Sequence, residues 1–244
     1  MTKIEFVTSF SPEGYHLYGQ QFIDSFIEHC APHKLTVYHE SQGNVDFHDR
    51  LTWRNLDYDM KRKRFIEDHG RDASKVGSAR DPNSQAIRFC HKVFAITHAI
   101  ANSPAEWVIW VDGDVEWTAP FTDRHAERIL EGHDLAFLGR SDAPYTECGF
   151  VAYRAHSRGV QRMAEHMLDY YVSGDIFKRP KADWHDSRCF DICRLDSGIS
   201  TKRQNSLSEG MRGWHPWPNT ILAEFCKHNK GPSRKQRAYG GVVR

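Results

Sequence analysis

The sequence predicts an α/β fold, a mixed and mainly parallel sheet flanked by helices in the Rossmann-like manner. Three observations predict it. A strand, a helix and a second strand follow one another within the first 38 residues, a nearly continuous apolar run ends at Val111, and strands and helices keep alternating as far as Tyr171. With 244 residues, 39% of them hydrophobic, the chain can bury well over half of its unfolded surface; its length suits one large domain or two small ones, and one domain over residues 1–244 is expected.

Ile4 to Thr8 is a β-branched and aromatic run, and Ser-Phe-Ser-Pro-Glu-Gly after it is loop chemistry. Tyr15, Tyr18, Phe22, Phe26 and Ile27 then recur at three- and four-residue steps, the helical period, before a short strand around Leu35 and Val37. Residues 42–86 are polar, carry the basic cluster Lys61 to Arg64, and read as an insertion suited to contacting an acceptor. Phe89, Val93, Ile96 and Ile100 restore helical spacing. Glu106 to Val111 is too short for a buried helix and reads as a central strand covered on both faces. A helix over 123–130, strands over 135–139 and 149–153, an amphipathic helix over 157–171 and a short helix over 183–193 complete the regular part. Residues 205–244 are rich in Gly, Pro, Ser and Asn and read as loops closing over the site.

The formal charge of +1, from 33 basic and 32 acidic residues, excludes a chain that is basic throughout but permits a local basic patch. No apolar run approaches the roughly 18 residues of a membrane helix. The N-terminus shows no export signal, and six scattered cysteines suit a reducing compartment, so a cytoplasmic location is expected. His185, Cys189 and Cys193 fall at four-residue steps, but no fourth ligand at zinc spacing accompanies them, and core thiols explain the pattern better.

Asp112-Gly113-Asp114 follows the central strand, at the end of an open α/β sheet where ligands bind. Two carboxylates flanking a glycine can turn toward one hard cation, although the tripeptide alone is also an ordinary turn. His228-Asn-Lys-Gly231-Pro-Ser-Arg234-Lys235 adds a third potential ligand, a glycine for close approach to phosphate, and cations for phosphate oxygens; alone it reads as a solvated basic tail.

Trp-Val-Ile-Trp-Val-Asp112-Gly-Asp114 after a helix bearing Arg88 and Lys92, with the late His-x-x-Gly segment, resembles the GT-A class of metal-dependent glycosyltransferases, in particular the group of glycogenin and bacterial lipopolysaccharide galactosyltransferases. The resemblance implies that Asp112, Asp114 and His228 hold Mn²⁺ or Mg²⁺ and that the donor is a nucleoside-diphosphate sugar, with UDP as the nucleotide. That group has two residues between the late glycine and its lysine; three stand here, so either Arg234 or Lys235 takes the phosphate. The resemblance further implies that Thr8, Ser9, Phe10 and Tyr15 contact the nucleoside and that Glu147-Cys148-Gly149 contacts the donor sugar. Arg88 and Lys92 aim at the donor or brace the Asp-x-Asp loop, or are surface charges. Asp186 is the candidate for acceptor-side catalysis, with Asp191 and Glu147 behind it, and is equally explained as the first residue of a helix.

A sugar transfer to a hydroxyl follows, with a lean toward retention of configuration. The acceptor is a glycan or a hydroxymethylated DNA base, the latter drawing on Lys61 to Arg64 and the acid-free stretch 227–244 and requiring the base to be flipped out. The alternatives are a nucleotidyltransferase of related fold, disfavoured by the lack of a Gly-rich triphosphate loop after the first strand, and a noncatalytic metal- or sugar-binding module.

Overall fold

The computed structural model describes residues 3–40, 47–72, 75, 85–143 and 145–230. In chain order, β1 (Ile4–Phe10) leads into a single turn, α1 (Pro12–Gly14), where Ser11 Oγ accepts the Gly14 N–H at 3.1 Å. A π-helical turn (Tyr15–Gly19) continues into α2 (Gln20–His29), followed by β2 (Lys34–His39), β3 (Leu51–Asn55) and α3 (Met60–His69). Then come α4 (Ala86–Asn102), β4 (Trp107–Val111), β5 (Val115–Trp117), α5 (Asp123–Leu130), β6 (Leu135–Leu138) and β7 (Glu147–Arg154). The last elements are α6 (Arg158–Val172), α7 (Asp186–Asp196), β8 (Gln204–Ser206) and β9 (Cys226–His228).

The main sheet has seven strands in the order β3-β2-β1-β4-β7-β6-β8, and only β7 runs antiparallel to its neighbours. The expected mixed, mainly parallel α/β fold is therefore what forms. Side-chain alternation on β4 shows the layering: Trp107, Ile109 and Val111 enter one buried cluster with α2 and α5, while Val108 and Trp110 enter another with α4, α6 and α7. All five residues of β4 are buried, as a continuous apolar run on a strand covered by helices requires. From β1 the chain lays β2 and β3 on one side, then returns through α4 to place β4 on the other. Strand order reverses between β1 and β4, and their carboxyl ends open a crevice.

Two stretches depart from the reading of the sequence. Of residues 42–86, the described parts belong to the fold and not to an insertion apart from it: β3 pairs in parallel with β2 at the sheet edge, and α3 sends Phe65 into the core against Tyr171 and Phe177. An edge strand buried on neither face and a helix with only Arg62 and Phe65 buried carry almost no hydrophobic period, so the pattern hid them. Arg62 lies within the supposed basic cluster yet is buried, with Nη1 on Asp57 Oδ1 at 3.0 Å and on the Leu56 carbonyl at 3.2 Å. The C-terminal third is likewise not loop throughout, because β8 extends the main sheet and β9 pairs with β5. Among the described residues no helix is long and apolar enough to cross a membrane.

Phe65→Ala tests whether α3 belongs to the core. Its ring stacks on Phe177 with centroids 5.8 Å apart and planes 7° from parallel. Chemical denaturation is expected to show a loss of about 3–5 kcal/mol, whereas a helix on a detached insertion would leave the midpoint unmoved.

Candidate functional site

The crevice end of β4 is built on contacts that a change of residue would break. The Asp112 N–H donates to the Gly149 carbonyl at 2.8 Å, holding the turn against β7. Gly113 passes over the Phe10 ring so closely that a Cβ would lie 2.4 Å from Phe10 Cε1, which is why glycine separates the two aspartates. β5 then pairs antiparallel with β9, Val115 opposite His228, and the Asn229 N–H donates to the Asp114 carbonyl at 3.0 Å. That ladder delivers His228 to the two carboxylates. Its Nε2 is 3.0 Å from Asp114 Oδ1 and 4.0 Å from Asp112 Oδ2, and one ligand atom from each of the three residues lies within 4.8 Å of the others. A Cβ on Gly149 would sit 2.9 Å from His228 Cε1, so this glycine makes the room the imidazole occupies.

Lys92 organises the other side of Asp112. Its Nζ reaches Asp112 Oδ1 at 2.9 Å, Asp186 Oδ2 at 2.9 Å and the Cys148 carbonyl at 2.6 Å, one acceptor for each of its three protons. Burial would lower its pKa, but Asp112 and Asp186 outweigh burial and hold it above the usual lysine value. Trp110 Nε1 donates to the same Asp112 oxygen at 2.8 Å. Oδ1 is thus committed to Lys92 and Trp110, and Oδ2 is the oxygen turned toward Asp114 and His228. Asp186 opens α7, where a helix N-terminus favours a carboxylate. Burial pushes its pKa up; Lys92 more than compensates, and the acid ends below the usual aspartate range.

Glu147, the first residue of β7, holds a second charged group. Its Oε2 accepts from Arg140 Nη2 at 3.0 Å and from Lys230 Nζ, and its Oε1 accepts the Gly149 N–H at 3.2 Å. Against burial, Lys230, His228 and Arg140 keep this carboxyl below its ordinary value. These groups face a cleft of about 550 Å³, within the range of ligand pockets. A hollow of about 740 Å³ beside α2 is larger, but its lining carries none of Asp112, Asp114 and His228.

Of the residues singled out from the sequence, Ser9, Arg88, Lys92, Asp112, Gly113, Asp114, Glu147, Cys148, Gly149 and Asp186 line this cleft, and His228 completes the cluster beside it. Cys148 contributes its carbonyl, while its thiol is buried and pushed well above the usual range. Thr8 and Phe10 are not on the wall. Thr8 is fully buried, and Phe10 is the core ring beneath Gly113, because alternate residues of a central strand face the helix layers. Tyr15 packs on Phe10 and Trp53 and donates its hydroxyl to Gln20 Oε1 at 3.0 Å, also outside the lining. Asp191 does not line the cleft: its oxygens accept from the Thr146 hydroxyl at 2.6 Å and the Thr146 N–H at 3.0 Å, pinning α7 to the start of β7. Gly231, Arg234 and Lys235 lie outside the described residues. Reading the sequence missed Glu40, Arg140, Tyr145, Trp214 and Lys230, all on the wall. Of these, only Lys230 stood inside a segment already singled out.

Removing Lys92 leaves the buried Asp186 and the half-buried Asp112 without their cation. Lys92→Met is expected to cost about 3–5 kcal/mol in denaturant unfolding. Asp186 and Glu147 have native pKa values below their unfolded values of 3.8 and 4.5, so their contribution is complete above those values and disappears as pH falls through the native ones. Stability measured against pH is therefore expected to fall on the acid side, and Asp186→Asn to flatten that fall; an unchanged acid limb would mean that Asp186 is not held ionised by Lys92.

The chain matches no family model, and no curated protein matches it in sequence, so the reading of this site rests on its geometry.

Proposed function

We propose that this chain is a metal-dependent glycosyltransferase of GT-A type, moving a sugar from a nucleoside-diphosphate donor, with UDP as the expected nucleotide, to a hydroxyl acceptor. The observation that carries the reading is the convergence of Asp112, Asp114 and His228 at the carboxyl end of β4, beside a cleft sized for a nucleotide sugar.

The donor set fits Mn²⁺ or Mg²⁺. Two carboxylate oxygens and one imidazole nitrogen converge, and Asp112 has its other oxygen tied back by Lys92 and Trp110. A cation bound there supplies Lewis-acid stabilisation for the charge that develops on a departing diphosphate. Around it, Lys230 and Arg140 set positive charge against the cleft wall, with Glu147 fixing both side chains in place.

Asp186 is ionised and held by Lys92, which makes it a poor proton acceptor and a good electrostatic partner for positive charge on a sugar ring. Glu147 is held down in the same way. With neither carboxylate tuned toward neutrality as a base, the site favours retention over inversion. The acceptor reading favours a glycan over DNA, because Arg62 turns inward and divides the basic cluster that would track phosphates.

The test is nucleotide release from a panel of UDP-, GDP-, CDP- and TDP-sugars with Mn²⁺. Chelator-sensitive release of a nucleoside diphosphate is expected from one donor, with Asp114→Asn slowing it by about a thousandfold. Pyrophosphate release from a nucleoside triphosphate instead would identify a nucleotidyltransferase, and no metal-dependent turnover at all would leave a binding module.

A further inference from the structure

Glu40 follows β2 directly and has no part in the metal cluster, yet its carboxylate faces the same cleft. Its backbone N–H donates to the Phe10 carbonyl at 3.3 Å, which fixes the end of β2 against the end of β1. The side chain is held from behind. His91 Nδ1 accepts from Arg62 Nε at 2.9 Å, so Nε2 carries the ring proton and faces Glu40 Oε2 at 3.5 Å. Arg62 is itself anchored on Asp57 and on the Leu56 carbonyl. This chain of groups, with Arg62 buried and His91 and Glu40 half-buried, backs an acceptor-only carboxylate at the cleft wall, where anionic phosphate would be repelled and a donor of hydrogen bonds would be welcomed.

Position selects the donor. Neighbouring strands are about 4.8 Å apart, so Glu40 on β2 stands roughly 10 Å across the crevice from the cluster at the end of β4. A nucleoside diphosphate with its phosphates at the cluster carries its ribose to about that distance. Tyr18 lines the same cleft, and burial first, then the charges of Asp114, Asp112 and Glu40 against that of Arg88, push its phenol up to about 12. We propose that Glu40 binds the ribose of the donor, accepting hydrogen bonds from its vicinal 2′- and 3′-hydroxyls. The inference rests on the nucleotide-sugar reading of the cleft, and adds to it a residue that distinguishes ribonucleotides from deoxyribonucleotides.

Calorimetric titration with Mn²⁺ and paired ribo- and 2′-deoxyribonucleoside diphosphates of uracil, cytosine, guanine and adenine tests it. Wild-type protein is expected to bind the ribo form of its preferred pair about tenfold more tightly than the deoxy form. Glu40→Gln, close in shape, and Glu40→Ala are expected to lose most of that preference, because the ribo form loses two hydrogen bonds to Glu40 and the deoxy form only the one from its 3′-hydroxyl, so the ribo form weakens by the larger factor. A ribo-to-deoxy ratio that is the same in wild type and variants, or an equal loss for both forms as a contact to the base would give, overturns the role of Glu40 and leaves the function standing. Failure of every nucleotide to bind with Mn²⁺ overturns the nucleotide-sugar reading, and this inference with it.

Discussion

One ammonium group holds the site together. Lys92 brings α4, the end of β4, the start of β7 and the start of α7 to a single point, through Asp112, the Cys148 carbonyl and Asp186. Each partner would be costly to bury alone: two carboxylates would repel one another, and the lysine would lose its charge. Together they satisfy one another, and the geometry that results turns the second oxygen of Asp112 toward Asp114 and His228. The conformation of Asp112, one of the proposed metal ligands, is thus set by a cation on its far oxygen, support of the kind that orients ligands in metal sites.

That point of convergence lies where the sheet reverses its strand order. A doubly wound sheet leaves a gap at the reversal because the flanking segments depart in opposite directions, and the gap collects whatever the strand ends carry. β1 contributes Ser9, β4 contributes the aspartates, β2 contributes Glu40, and β7 closes the far side with Glu147 and Gly149. The antiparallel insertion of β7 between β4 and β6 matters for this reason. It presents the beginning of a strand, not its end, beside Asp112, and so places the Cys148 carbonyl and Gly149 at the crevice.

How much of this could be read from the chain differs from residue to residue. Asp112 and Asp114 were legible because an uninterrupted apolar strand is a strong signal and the residues after it sit at a strand end. His228 stood in a segment that alone read as a basic tail, and a resemblance gave it its weight, since no local pattern ties it to Asp114, 114 positions away. Lys92 stood on a recognisable helix, but spacing cannot say whether a charge on the polar flank is solvated or buried, and that difference decides its role. Thr8 and Phe10 were misplaced by the same limit on a strand, where alternation says which residues share a face but not which face meets the cleft. Glu40 and Arg140 carry no motif at all, because each is one of several polar residues just past a strand end, where nothing in the sequence sets it apart from its neighbours.

The β5–β9 ladder has a further consequence. It is three residues long on each strand and separate from the main sheet, yet it is what brings His228 against the two aspartates. A cation held by Asp112 and Asp114 just before β5 and by His228 at the end of β9 would act as a staple across this ladder, joining segments that otherwise depend on a short ribbon and on the packing of Trp217 and Phe225. Free energy of ion capture would then appear as resistance of the carboxyl-terminal segment to fraying. The site would report, through its own affinity, on whether that part of the fold has closed.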